Sequence, residues 1–364
     1  MTVKKFRMDL HQIPEVGFCE FETKQYIMSV LKPLDCQIFE VGNTGVVAFF
    51  DFGQSKTIGV RADIDGLPIK EDTGLHFASK RYGFMHACGH DSHTAMALAV
   101  ALHVDECKKQ GKSFDKNIAF IFQPAEECDD GAASIVRSGV LQKLGMDHIF
   151  ALHVWPGLPK GKIYSRPGVM LAQVCDIDII LDGEKSHIAD YYKGVDTMRA
   201  SCEILLELYQ FEEKCNDKEK CLLKFGRLDS GNLRNITSDK TVISGSIRSL
   251  SKEMETKLQD SIFDIVEKVA NKYGIKYEVR IQNGFPVVEN DVELFEKVAE
   301  KCNVRLLDAP VLHAEDFSFF ENVCPYVYFF LGIGDGMKLH HEKFDFDMGV
   351  LDVGVEFWKK LIEI

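Results

Sequence analysis

The sequence predicts an α/β protein of two parts: a larger domain on a mostly parallel sheet, and a smaller β-α-β-β-α-β unit inserted into it. Three observations lead there. The chain has 364 residues, more than one ordinary core accommodates. Short apolar strands alternate with helical stretches up to about residue 170, a rhythm that argues for parallel pairing. From Leu171 that rhythm changes to the order of a split ferredoxin-like unit, and after Pro286 it returns. The larger domain is therefore expected over 1–170 and 284–364, and the insert over 171–283.

Each element has a local reason. Residues 4–34 read as helix, broken at Pro14 and resumed over Glu22–Leu31 where apolar residues recur at helical spacing. Gln37–Val41, Gly45–Phe50 and Thr57–Ala62 are β-rich runs, and Pro68 rules out any strand reaching that far. Thr94–Cys107 is a long apolar helix that Asp91 or Ser92 is placed to cap. Asn117–Phe122 and His148–Val154 are compact apolar strands. In the insert, Val174–Leu181, Cys221–Leu228, Thr241–Ile247 and Tyr277–Ile281 read as strands. Val195–Tyr209 and Lys252–Tyr273 read as amphipathic helices.

Composition narrows the function classes. A net charge of −13 excludes a protein built to bind nucleic acid or an anionic membrane, which needs a basic surface. No apolar run approaches the roughly 20 residues that cross a bilayer, and Met1–Leu10 does not read as a signal peptide. Eleven cysteines, an odd number without a CxxC pair, suit a reducing cytoplasm better than a secreted disulfide framework. Small-molecule chemistry is what remains.

The chemistry-bearing residues collect at the ends of strands, where ligands sit in open α/β sheets. Met85–Ala95 holds a thiol, three imidazoles and a carboxylate around Gly89. Cys88 and His90 suit a zinc-like ion, and suit equally a buried thiol beside a hydrogen-bonded histidine. Glu126 and Glu127 follow the strand ending at Phe122; one could bind a metal while the other takes a proton from water. His153 ends a strand and His340 and His341 lie in a loop. Taken together, Cys88, His90, Glu127, His153 and His340 suffice for two ions, with Glu126 as base.

At this point the sequence resembles a known family. DLHQIPEVGF, RADIDGLPI, HACGHDSHTA, QPAEE, ALHVWP, GSIRSL, AEDFS and LHHEKFDFD occur in the order found in the two-metal amidohydrolases. That family includes hippurate hydrolase, auxin-conjugate hydrolases and N-acetyldiaminopimelate deacetylase. The resemblance implies a zinc-peptidase-like catalytic domain with an inserted lid that pairs subunits into a homodimer or a larger homo-oligomer. It implies two divalent ions, manganese, zinc, cobalt or nickel, with Cys88 bridging and His90, Glu127, His153 and His340 completing the set. Glu126 then resembles the general base, and His187 the lid histidine that reaches a neighbouring subunit's site. Asn235 and Arg248 match contacts to a substrate carboxylate. The substrate so implied is an N-acyl amino acid, with Leu339–Lys343 resembling the diaminopimelate branch of lysine biosynthesis.

The chain departs from the family pattern at four places. No proline follows His187, where Ile188-Ala189-Asp190 stand, and none follows Asn235. Cys128 and His313 replace glycines. These touch pocket shape, and hence substrate, rather than metal chemistry. Two rival readings are a metal-free thiol hydrolase using Cys88 with a nearby histidine, and a metal-bound dimer that holds acylated amino acids without cleaving them.

Overall fold

The computed structural model describes residues 2–128 and 131–364. The chain divides into two compact units, Met1–Met170 with Glu289–Ala309 and Asp316–Ile364, and Leu171–Val288 with Pro310–Glu315. The stretches 284–288 and 310–315 join the smaller unit because their backbones bond to its first strand. Val174 N–H donates to Phe285 O at 3.0 Å, and Ala172 N–H to His313 O at 2.9 Å.

The larger unit is organised by one eight-stranded sheet. Its order is Gln37–Val41, Gly45–Phe50, Asn117–Gln123, Thr57–Asp63, Met146–Pro156, Tyr326–Gly334, Ile163–Ser165 and Arg305–Leu306. The central strands Asn117–Gln123, Thr57–Asp63, Met146–Pro156 and Tyr326–Gly334 pair in parallel, while the hairpin Gln37–Phe50 joins one side antiparallel. Helices cover both faces, as such strands require. Every residue of Thr57–Asp63 and Asn117–Gln123 is buried, so these runs do not alternate, and their inner apolar residues end in polar ones, Arg61, Asp63 and Gln123, that bond to one another.

The smaller unit has the four-stranded antiparallel order Lys276–Asn283, Gln173–Asp182, Lys240–Ser249, Cys221–Ser230. Along Gln173–Asp182, Cys175, Ile177, Ile179 and Leu181 point to one face and are buried. Helix Thr197–Asn216 presents Ala200, Ile204 and Leu208 to that core, and helix Lys252–Tyr273 presents Leu258, Ile262 and Val266. Each isoleucine, leucine or valine among them contributes about 1.5–3 kcal/mol by leaving water. The strand and helix order is that of the ferredoxin-like split unit.

Two expected details differ. The helix after the Cys88 segment runs His90–Lys109, begins behind Gly89 and has no side-chain cap. Asp91 is not its cap because its carboxylate is drawn into a buried ion cluster: Oδ2 lies 2.7 Å from His11 Nδ1 and 3.4 Å from Arg7 Nε. Ser92 is not the cap either; its own N–H and hydroxyl donate to Asp91 Oδ1. In the smaller unit, the first helix continues past Tyr209 to Asn216, opened by Asp196, which accepts from Met198 and Arg199 N–H.

Candidate metal centre

Four separate segments deliver the side chains. Cys88 and His90 flank Gly89, whose φ of +88° and closeness to Val154 Cγ2, 2.5 Å from where a Cβ would stand, leave no residue but glycine there. That close approach sets the thiol beside the strand carrying His153. Glu126 and Glu127 follow strand Asn117–Gln123 after Pro124 and Ala125, and Ala125 has a left-handed φ of 53°. His340 sits in a loop with φ 62° and donates its N–H to Ala87 O at 2.9 Å. A non-glycine residue in that region costs on the order of 1–2 kcal/mol. Strain at both positions marks where the fold has been bent to aim a side chain.

The donor atoms form two triads that share one sulfur. Cys88, His90 and His153 lie with their ligand atoms mutually within 4.8 Å, and so do Cys88, Glu127 and His340. Cys88 Sγ is 3.5 Å from His153 Nε2. His340 Nε2 is 3.0 Å from Glu127 Oε1. Glu126 borders the same space, its Oε2 3.8 Å from His90 Nε2. Thus all six residues expected in the centre are brought together.

Hydrogen bonds behind the triads fix which nitrogen faces the centre. His90 Nδ1 lies 3.0 Å from Asp65 O and 3.1 Å from Asp65 Oδ1, so Nδ1 carries a proton and Nε2 is the nitrogen turned to the centre, a ligand once an ion displaces its proton. His153 Nδ1 lies 2.6 Å from Val154 O, so its Nε2 is likewise turned to the centre. His93 is spoken for differently: Val154 N–H donates to its Nε2 at 3.0 Å, so its Nδ1–H donates to Asp63 Oδ1 at 2.6 Å. It braces the His153 strand and has no lone pair to offer. Arg61 holds the other Asp63 oxygen at 2.7 Å and Gln123 Oε1 at 2.7 Å.

Electrostatics of the bare centre are those of a cation site. Burial pushes the Cys88 thiol well above its ordinary range, and the carboxylates of Glu127, Glu126 and Asp63 push it further. Burial drives His153 far down toward the neutral ligand form, helped by His93. Burial also works against charge on His90, yet Asp63, Asp65 and Glu127 outweigh it and hold its pKa up at about 10. A thiol nucleophile wants the reverse, an electropositive setting that favours thiolate. The metal-free reading is therefore disfavoured by the residues themselves.

Divalent ions fit. His90 Nε2 and Glu127 Oε1 are buried without a hydrogen-bond partner, an expense of about 1–3 kcal/mol each unless something else is bound there. His340 and Glu127 lie close without the alignment of a hydrogen bond. Two ligands of one ion at ~2.1 Å stand about that far apart. Thiolate, imidazole and carboxylate donors together suit zinc-like and manganese-like ions.

The smaller unit places its own candidates in two groups. His187 bridges Ile236 across a short antiparallel pair, and Ile188 N–H donates to Asn235 O at 3.0 Å, so His187 and Asn235 share one exposed tip. Ala189 N–H donates to His187 Nδ1 at 3.2 Å, which assigns the proton to Nε2. His187 thereby caps the 3-10 helix Ile188–Lys193, supplying the start that the missing proline would have given. Arg248 lies near the opposite end of strand Lys240–Ser249, paired with Val174 and Leu222, its Nη1 3.4 Å from Leu312 O. At about 3.3 Å per residue, roughly 25 Å or more separates it from the tip. Cys128 and His313 are exposed.

Asp63, Asp65 and His93 stand behind the centre; the sequence places Asp63 at the ligand end of its strand with Glu126, Glu127 and His153, but gives none of the three a bracing role. The Asp-x-Asp spacing at the end of a buried strand is the available signal. Asp65 is central, because besides orienting His90 it accepts Glu127 N–H at 3.0 Å.

Known proteins resemble this chain in sequence and in fold. Residues 59–364 match the profile of peptidase family M20/M25/M40. An N-acetyldiaminopimelate deacetylase of Streptococcus uberis is 34% identical over 370 residues, 98% of this chain and 97% of the relative. A putative aminohydrolase from methicillin-resistant Staphylococcus aureus superposes with a TM-score of 0.90 at 30% identity, covering 100% of this chain and 95% of that one. A dinuclear metal-binding peptidase of the M20 family from Bacillus subtilis gives 0.85 at 29% identity, covering 99% and 96%. With its full length matched and its donor set of the kind a dinuclear centre needs, the chain belongs to peptidase family M20/M25/M40 and is a metal-dependent amidohydrolase.

Proposed function

We propose that the protein removes an N-acyl group, acetyl in the first instance, from an amino acid, as an N-acetyldiaminopimelate deacetylase. One observation carries the reaction: two donor triads meet at Cys88 with Glu126 at their edge. The substrate rests on relatives of that name at 32–34% identity over nearly the whole chain.

In this reading two divalent ions would be held by Cys88, His90, Glu127, His153 and His340, with His90 and His153 grouped on one side of the sulfur and Glu127 and His340 on the other. When bound, the ions supply Lewis acidity toward the scissile carbonyl and toward water. Glu126 accepts a proton from the attacking water and delivers it to the departing nitrogen as the C–N bond breaks, leaving a carboxylate and an amine. His187 offers Nε2–H to the oxyanion, a donor contribution of about 2.7–4 kcal/mol in comparable sites. Arg248 and Asn235 grip the amino acid's carboxylate. The separation of Arg248 from the His187–Asn235 tip within one chain supports a homodimer in which the tip serves a partner's substrate. Eleven unpaired cysteines support a cytoplasmic location. No helix among the described residues is long and apolar enough to cross a membrane.

The test is an amine-release screen of N-acetyl-diaminopimelate, hippurate and other N-acyl amino acids with manganese, zinc, cobalt or nickel added after chelation. Turnover of N-acetyl-diaminopimelate above the rest is the expected result; preference for hippurate would move the substrate to the hippurate-type alternative. Glu126→Gln should keep its metal and lose on the order of 10²–10⁴-fold in kcat. Full activity in that variant removes the base assignment.

A further inference from the structure

The geometry points to Glu20 as a positioning residue for Glu126: its buried carboxyl clamps the backbone of Ala125 and so fixes where the proposed base stands. Glu20 is fully buried at the start of helix Phe21–Leu31, but makes no cap bond to that helix. Its side chain instead accepts Ala125 N–H at 2.8 Å with one oxygen and the Thr44 hydroxyl at 2.6 Å with the other.

Ala125 is where a clamp has most effect. It holds a left-handed φ of 53° immediately before Glu126, a conformation that alanine abandons unless its surroundings enforce it. A second enforcing contact is Gly17, where an added Cβ would come 2.9 Å from Ala125 Cβ, so the N-terminal segment is packed hard against this turn. On the far side of Glu126, Glu127 N–H is held by Asp65 Oδ2 at 3.0 Å. The base therefore lies between two amides, each tied to a buried carboxyl. Releasing the Ala125 amide lets the turn relax toward ordinary φ and swings Glu126 away from its place.

Burial raises the Glu20 carboxyl to about 7 although the bonds from Thr44 and Ala125 oppose it. Both protonation states keep the clamp: the ionised form accepts from both partners, and the protonated form accepts from Ala125 while donating to Thr44. A glutamine can do the same, and this supplies the control.

The inference rests on Glu126 being the base, and the experiment separates the two. Glu20→Gln, Glu20→Leu and, as a core control on the same helix, Ile27→Ala are compared in kcat, KM, metal content and hydrogen exchange of the 124–128 segment. Glu20→Gln should stay close to wild type. Glu20→Leu should lose on the order of 10²-fold in kcat, the cost of a misplacement near 1 Å, with KM little changed. Its exchange at 124–128 should rise, while Ile27→Ala loses melting temperature without either effect. If Glu20→Leu does not fold, Glu20→Asp, which keeps the charge but falls short of Ala125, carries the same expectation. Wild-type kcat in Glu20→Leu, or an equal loss in Ile27→Ala, overturns the positioning role. An active Glu126→Gln overturns the base reading whatever the Glu20 variants do.

Discussion

The two triads that meet at Cys88 are built to different standards. His90 and His153 are buried at 1% and 4% exposure, each with its far nitrogen bonded to an oxygen that settles the tautomer. In the other triad, the His340 side chain is half exposed and sits on a loop held by its backbone N–H to Ala87. The first half is thus set before any ion arrives, and the second has one ligand still to be ordered. A substrate has to enter somewhere. Rigidity on the strand side and openness on the loop side are what a centre needs if one ion is structural support and the other meets incoming groups.

The strongest way to break this comparison is to remove what the halves share. Cys88→Ala should abolish binding of both ions and lower kcat on the order of 10³-fold or more, since several kcal/mol of charge stabilisation go with them. Elemental analysis of the purified variant checks it; retention of one full equivalent would show that the sulfur serves a single triad. The next effect separates the halves. His153→Ala should lose one ion and lower the apoprotein's melting temperature, because it empties a buried position beside His93 at a ring distance of 4.4 Å. His340→Ala should also lose one ion yet leave apoprotein melting unchanged, as expected of an exposed side chain. Equal melting shifts in the two would contradict the claim that only one half is preformed.

The closed half was the more legible of the two in the sequence, and for a physical reason. Cys88, His90 and His153 adjoin elements with strong local signals: a glycine-centred bend before a long helix, and a strand with an apolar centre. The strand Gln37–Val41, the strand Gly45–Phe50 and the helix Lys252–Tyr273 have the bounds that periodicity assigns. His340 follows a glycine-rich loop with no periodicity, so no local pattern sets it apart from His341. The structure points His341 elsewhere, its Nδ1 accepting Lys343 N–H at 3.1 Å. What stayed hidden was the layer behind the ligands. Asp65, His93 and Glu20 act through tertiary contacts across 25, 61 and 105 positions of sequence, and no local pattern encodes such pairs. The helix start at His90 was missed for the same cause, since Asp91 answers to Arg7 and His11 rather than to its own helix.

That hidden layer offers a finer test. Asp65→Asn keeps the shape but weakens the acceptor at His90 Nδ1, and it should lower metal affinity about 10–100-fold. No equivalent variant exists behind His340, whose ring has no such brace among the described contacts. Competition with a chelating dye measures it, and an unchanged affinity would mean that preorganisation of His90 comes from packing alone.

The smallest effect is read from pH, through a histidine in the ion cluster adjoining the closed half. Burial opposes charge on His11, but Asp91 and Glu71 outweigh it and raise the pKa to about 9. With the folded value above the unfolded one of ~6.5, His11 adds stability that is fully present below about pH 6.5 and is lost as pH rises through 9. Apoprotein melts taken in chelator from pH 6 to 10 should therefore fall by a few degrees more in wild type than in His11→Gln, roughly 2–6 °C for a chain of this size. The difference between the two proteins removes the contribution of His90, which titrates in both. Parallel curves would mean that Asp91 is neutralised by Arg7 alone, and the N-terminal helix would then act on the closed half through Arg7 and not through His11.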